Sequence, residues 1–160
     1  MISGVTPDDE KLMAALREGA LLPRIFAHAE RQYPRECCGM IHRSGILRIC
    51  DNAIDRLHAA DPESFPRSSR NGYAFDFDDL RCLVESLDTP DPVRVVYHAH
   101  PDSGSALSQA DIAAALIDGV HVYPTLMHLV IAVSKGRAIE AGLHEPAPGG
   151  YIERARFFPR

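Results

Sequence analysis

A β-branched run that ends in two histidines does most to constrain the fold of this chain. Residues 93–97, Val-Arg-Val-Val-Tyr, are typical of a buried strand and lead directly into His98-Ala99-His100-Pro101. Because side chains alternate between the faces of a strand, both imidazoles can reach one point, at the end where Pro101 stops the ladder. The pattern predicts two nitrogen ligands for one metal. Two surface histidines beside a turn would, however, show the same residues.

A carboxylate in the next predicted helix, residues 108–118, extends this pattern. Asp111 would complete a set of two histidines and one carboxylate, which leaves a fourth position open for water, as in catalytic zinc sites. Ser108-Gln109-Ala110-Asp111 also has the shape of a capping box, with Asp in place of the usual Glu or Gln. A purely structural role for these two residues therefore stays open.

A hydrolytic zinc site also needs a general base, which spacing alone does not identify. Glu36 is a candidate because it lies between a predicted helix end and a predicted strand, although a solvated surface glutamate would look the same. A thiol nucleophile at Cys37 or Cys38 is a weaker alternative, because its base would be one of the histidines that the metal pattern already uses.

Together these elements resemble the motif of the JAMM metallopeptidases, also called MPN+ or JAB proteins. That motif is a Glu, then His-x-His-Pro, six residues, and Ser-x-x-Asp. Here Glu36 begins Glu-Cys-Cys-Gly, and residues 102–107 are the six that precede Ser108. The likeness spans residues 20–157 and is greatest to the short stand-alone prokaryotic branch. It implies an α/β (α+β) fold, a curved mixed β-sheet flanked by helices as in cytidine deaminases, with residues 1–160 as a single domain.

The resemblance also implies a role for each side chain of the motif. His98, His100 and Asp111 would bind one Zn²⁺ per chain together with a water molecule. Glu36 would take the proton of that water and later deliver it to the leaving amine. Ser108 would donate a hydrogen bond to the oxyanion.

Members of this family cleave the peptide or isopeptide bond after the C-terminal Gly-Gly of ubiquitin or a ubiquitin-like protein, including sulfur-carrier proteins. The resemblance implies such a partner, and it implies a homodimer because this fold often pairs through its helices. Residues 51–72 carry turn signals without sustained periodicity and are predicted to form a functional or mobile loop beside the substrate groove. In this loop, Arg67 and Arg70 are candidates for docking an acidic or carboxylate-bearing substrate. Two alternatives stay open, a zinc hydrolase of small amides or short peptides and a non-catalytic MPN-type scaffold.

Charge and hydropathy exclude other classes of protein. The 160 residues carry a net charge of -5, whereas a nucleic-acid partner normally needs a concentrated basic face. The longest strongly apolar stretches, such as residues 126–133, fall far short of the roughly 20 residues of a membrane span. The first ten residues show no secretory signal. We therefore expect a cytoplasmic protein without nucleic-acid or membrane partners, whose four cysteines are reduced and mostly buried.

Hydrophobic periodicity and turn signals predict the other elements. Residues 1–18 are expected to be a mobile or accessory segment with a short helix over 7–17, followed by helices over 21–33 and 77–86. Strands are predicted over 39–42, 46–50, 73–76, 127–133, 138–143 and 151–157.

Overall fold

The structure, a computed structural model, describes residues 9–160. In that part of the chain the elements follow in the order α1 (Glu10–Glu18), α2 (Leu21–Gln32), β1 (Cys38–His42), β2 (Leu47–Cys50), α3 (Ile54–Ala60), α4 (Phe77–Ser86), β3 (Val93–Pro101), α5 (Gln109–Ala115), β4 (Leu116–Ile117), β5 (Val120–His121), β6 (Met127–Ser134), β7 (Arg137–Ala147) and β8 (Gly150–Phe157). Over the same residues, no helix has both the length and the apolar character to cross a bilayer. The mixture of helices and strands confirms the predicted α+β class.

The main sheet has six strands in the order β2-β1-β3-β6-β7-β8. Its central pair, β3 and β6, is parallel, and the other neighbours are antiparallel. Parallel neighbours need a crossover connection, which α5 and the small β4–β5 hairpin supply. The strand order places β3 inside the sheet, and α5 is the next element after its carboxyl end.

The two faces of β3 have different surroundings. Val95, Tyr97 and Ala99 point into the larger hydrophobic cluster, which α1 and α2 cover. Val96, on the other face, belongs to a smaller cluster with Leu83 of α4. Since His98 and His100 continue the Val96 face, the histidine motif lies on the more thinly covered side of the sheet.

Helix α1 is part of the core, so the expected mobile or accessory segment is wrong for residues 10–18. Leu12 and Leu16 are fully buried in the larger cluster. Asp9, just before the helix, accepts hydrogen bonds of 2.9 and 2.8 Å from the Arg94 guanidinium on β3. The predicted helix over 7–17 begins at Glu10, and residues 1–8 lie outside the described part of the chain.

Residues 51–76 differ from the sequence-based expectation in two places. The predicted loop contains the short helix α3, which periodicity could not reveal because Ile54 is its one buried residue. The predicted strand over 73–76 does not form. Its main chain bonds to the start of α3, with the Ala53 N–H donating to the Ala74 carbonyl at 2.9 Å, and so no strand pairs with it.

The helix predicted over 108–118 stops at Ala115, and the chain turns into the β4–β5 hairpin. Asp118 and Gly119 both have positive φ, 51° and 77°. That geometry is typical of the two-residue Asp-Gly turn that joins hairpin strands. The predicted helices over 21–33 and 77–86 and the remaining strands agree with the structure to within a few residues.

Candidate metal centre

The two histidines of β3 bring their side chains together, as strand alternation predicts. The Nε2 atoms of His98 and His100 lie 3.0 Å apart. His98 is fully buried and His100 nearly so. Two imidazole nitrogens therefore share one small space at the carboxyl end of β3.

Helix α5 adds a carboxylate to this pair. Asp111 Oδ2 lies 3.2 Å from His98 Nε2 and 3.1 Å from His100 Nε2. Although burial opposes ionisation, the hydrogen bonds from these histidines hold the pKa of Asp111 well below its usual range. The carboxylate is therefore ionised at neutral pH.

Ser108 and Asp111 also form the capping box that begins α5. Asp111 N–H donates to Ser108 Oγ at 3.0 Å, and Ser108 N–H donates to Asp111 Oδ2 at 2.9 Å. One carboxylate oxygen thus faces both the helix start and the two imidazoles. The structural and the ligand interpretations of Asp111 are compatible, because the cap holds the oxygen where a metal would need it.

Glu36 enters the site from the turn between α2 and β1. Its carboxylate, His98 and His100 each offer one donor atom, and these atoms all lie within 4.8 Å of one another. Burial raises the pKa of the Glu36 carboxyl to about 7. The backbone of Glu36 is also held, since its N–H donates to the Ser69 carbonyl at 2.6 Å.

Asn52 fixes Glu36 from the other side and was not among the residues singled out from the sequence. Its Nδ2 donates to the carbonyls of Glu36 and Gly72, both at 3.0 Å, and its Oδ1 accepts from the N–H groups of Ile54 and Ala74, both at 3.1 Å. The side-chain amide of Asn52 therefore joins the turn that carries Glu36 to residues 72–74. The only signal in the sequence is an Asn just before α3, which by itself indicates a turn.

The donor set fits zinc. Two imidazole nitrogens and one carboxylate oxygen are ordinary ligands of catalytic zinc, and ligands in a tetrahedral site with bonds of 2.0–2.1 Å lie about 3.3 Å apart. The three mutual separations of 3.0–3.2 Å between His98, His100 and Asp111 are close to that value. These residues are therefore able to hold the ion with little rearrangement.

The two arginines predicted to dock substrate lie in different surroundings. Arg67 donates to the Asn71 carbonyl at 3.1 Å, and its positive charge acts on the Glu36 carboxyl. Arg70 is exposed, and its charge acts on the Tyr33 hydroxyl instead. Arg67 also borders the same cavity as Asp111, whereas Arg70 does not.

A cavity of about 560 Å³ adjoins the centre and shares Asp111 and Arg67 with it. Its other walls come from α4, α5, the segment before α4, the residues around β5 and β6, and one residue each of β3 and β8. They include the four aromatic side chains Tyr73, Phe75, Tyr123 and Tyr151. The space beside the candidate centre is therefore mainly apolar.

The cysteines are free, as the sequence predicts. Cys37, Cys38 and Cys50 are buried, and Cys82 is partly exposed. Burial raises the pKa of the Cys37 thiol to about 12, and it raises that of Cys38 further. Neither thiol is a thiolate at neutral pH, which argues against the cysteine-nucleophile alternative.

Comparisons with known proteins bear on the fold and the family. The fold is similar to the solution structure of protein DSY2949 from Desulfitobacterium hafniense, with a TM-score of 0.55 and 16% identity over 84% of this chain and 85% of that one. A protein from Salinibacter ruber matches with a TM-score of 0.48 and 20% identity, over 87% and 88% of the two chains. No curated protein matches significantly. The family model described as prokaryotic homologs of the JAB domain matches residues 19–142, and the chain therefore belongs to that family.

Proposed function

We propose that this protein is a zinc-dependent hydrolase that cleaves the peptide or isopeptide bond after the C-terminal Gly-Gly of a ubiquitin-like or sulfur-carrier protein. The observation that carries the proposal is the meeting of His98, His100 and Asp111 within 3.2 Å, with Glu36 beside them. Two imidazoles and one carboxylate leave one corner of a tetrahedral site for water or substrate.

His98, His100 and Asp111 would hold one Zn²⁺. Bound there, the ion would lower the pKa of a water molecule towards about 7 and polarise the scissile carbonyl. A scaffold without catalysis would not need three ligand side chains held this close together, with a buried carboxylate next to them.

Glu36 is suited to move protons in this reaction. A general base works best when its pKa lies near the pH at which the enzyme acts, and burial raises the pKa of Glu36 to about 7. Its carboxylate would take the proton of the attacking water and then deliver it to the nitrogen of the leaving amine. The bonds from Asn52 and to Ser69 keep its main chain in place for both transfers.

Ser108 is able to cap α5 and act on the substrate at the same time. Its Oγ accepts the Asp111 N–H with a lone pair, so that bond does not use the hydroxyl proton. Ser108 is also exposed. Its hydroxyl would donate to the oxyanion that develops on the scissile carbonyl, a contact whose loss typically costs about 2.7–4 kcal/mol.

A Gly-Gly tail suits a deeply placed centre, because an extended chain without side chains can approach buried ligands closely. His98 is fully buried and Glu36 nearly so, and a chain without side chains would reach such residues most easily. Arg67, at the boundary between the centre and the cavity, would attract an acidic or carboxylate-bearing partner.

The cavity favours a second candidate, the hydrolysis of small amides or short peptides. Its volume of about 560 Å³ lies within the range of pockets that bind small molecules, and its aromatic walls are typical of such pockets. The two candidates share the metal, Glu36 and Ser108, and they differ in the size of the substrate.

The test is cleavage of fusions in which several bacterial ubiquitin-like proteins, each ending in Gly-Gly, precede a short peptide, with the products identified by mass. We expect the zinc-loaded protein to cut after Gly-Gly and the Glu36→Gln variant to keep its zinc and lose turnover. Cleavage of short amides but of no fusion would favour the second candidate. Full activity in Glu36→Gln would contradict the assigned role of this residue.

A further inference from the structure

The two histidines of the candidate centre differ in what their second ring nitrogen does. His100 Nδ1 lies 3.0 Å from the Gly104 carbonyl, which can accept its proton. His98 Nδ1 is buried and has no hydrogen-bond partner among residues 9–160. Histidines that bind a metal normally donate this second N–H to an acceptor, which fixes the tautomer and the direction of the ring. His98 therefore needs another source of orientation.

Tyr73 contacts the face of the His98 ring. The two ring centroids lie 4.5 Å apart and the planes meet at 21°, which is a stacked arrangement. A rotation of the imidazole out of this plane would drive its edge into the tyrosine ring. The stack thus restricts the one torsion that a hydrogen bond at Nδ1 would otherwise fix.

Tyr73 is itself held in place. Its ring packs edge-on against Phe75, with centroids 5.7 Å apart, and both rings pack on the smaller hydrophobic cluster. The residues on either side are bonded to Asn52, through the Gly72 carbonyl and the Ala74 N–H. A ring fixed at both its edge and its backbone can fix its neighbour.

We propose that Tyr73 is a positioning residue of the metal centre, which orients His98 by ring stacking where His100 relies on a hydrogen bond. This inference rests on the metal centre of the proposed function. It assigns the effect to the aromatic ring of Tyr73 and not to its hydroxyl.

The test is the affinity for Zn²⁺, measured by competition with a chromophoric chelator, together with the absorption spectrum of the Co²⁺-loaded protein. We expect Tyr73→Leu to weaken Zn²⁺ binding by about 10–100-fold, as is usual when support of a metal ligand is lost, and to change the Co²⁺ spectrum. Tyr73→Phe keeps the ring, so its affinity should stay within about threefold of the parent and its Co²⁺ spectrum should be unchanged.

Tyr123→Leu is the matched control, because Tyr123 packs on the same cluster and lines the same cavity. It should bind Zn²⁺ as the parent does, which separates a lost stack from a general loosening of the cluster. If Tyr73→Leu does not fold, Tyr73→Met replaces it, because methionine keeps a large apolar side chain without the ring. We expect this variant to show the same weaker Zn²⁺ binding and the same change in the Co²⁺ spectrum.

Two results would overturn the inference while leaving the proposed function intact. One is a folded Tyr73→Leu or Tyr73→Met variant that binds Zn²⁺ as tightly as the parent. The other is a Tyr73→Phe variant as weak as the leucine variant, which would assign the effect to the hydroxyl. A parent protein that takes up no Zn²⁺ would overturn both the inference and the metal centre.

Discussion

A methyl group at Gly39 would test how β1 is held against the strand of the histidine motif. Gly39 lies directly opposite Tyr97 of β3, and a Cβ built on it would overlap the ring and the hydroxyl of that tyrosine. The overlap is more than about 1 Å inside the usual carbon–carbon contact of 3.5–4.0 Å. The glycine of Glu-Cys-Cys-Gly is therefore required by space, since its φ is not positive.

The buried surroundings of Tyr97 determine how much Gly39→Ala lowers the free energy of unfolding. Tyr97 is fully buried, and its hydroxyl lies 2.8 Å from His28 Nδ1. If the ring moves, this buried hydrogen bond is lost at a cost of about 1–3 kcal/mol, added to an overpacking cost of about 1–3 kcal/mol. If β1 moves instead, its pairing of Cys38 with His98 is disturbed, and Glu36 is displaced with it. We therefore expect Gly39→Ala to lower the free energy of unfolding by about 2–6 kcal/mol.

Urea denaturation measures this loss. With a slope of about 2 kcal/mol per molar urea, a loss of about 3 kcal/mol lowers the midpoint by about 1.5 M. Gly150→Ala is the matched control, because a Cβ there meets no atom within 4 Å, and its effect should stay within about 0.5 kcal/mol. In a Tyr97→Leu background, Gly39→Ala should cost less than about 1 kcal/mol. An equal cost in both backgrounds would refute the proposed overlap.

Three further substitutions, one of them with a matched control, probe the surroundings of the centre. Asn52→Ala leaves the carbonyl of Glu36 without its donor, so we expect a loss of about 2–3 kcal/mol in urea denaturation and a lower kcat, with zinc content unchanged. Arg67→Glu should raise KM for a Gly-Gly fusion, whereas Arg70→Glu, at a comparable exposed position, should leave KM unchanged. Ser108→Ala should lower kcat by about 10²–10³-fold with a smaller change in KM, and it should cost about 1 kcal/mol through loss of the cap. An unchanged kcat in Ser108→Ala would mean that Ser108 only caps α5 and does not act on the substrate.

The local features of the centre follow from the sequence. Alternation along β3 is enough to put His98 and His100 on one face, and a capping-box pattern marks the start of the helix that carries Asp111. An Asp-Gly pair such as Asp118-Gly119 is typical of a two-residue hairpin turn. The hairpin that it forms explains why the helix predicted over 108–118 ends at Ala115. Each of these features depends on neighbours in the chain, which periodicity and turn chemistry report directly.

The supporting contacts are long-range, and no local pattern reports them. Glu36 becomes a buried partner of the histidines only because β1 pairs with β3 and because Asn52 fastens its turn to residues 72–74. The sequence predicts a strand over residues 73–76. In the structure, the main chain of this segment bonds to Asn52, just before α3, and the ring of Tyr73 stacks on His98.

The zinc content of the purified protein after exhaustive dialysis tests the central claim most directly. We expect about one equivalent per chain in the parent, and almost none in His100→Ala or Asp111→Asn, because two remaining ligands hold the ion weakly. His58→Ala, whose imidazole bonds to the Phe65 carbonyl in the segment after α3, should keep its zinc. A parent without zinc, or a His100→Ala variant that retains a full equivalent, would contradict the proposed centre.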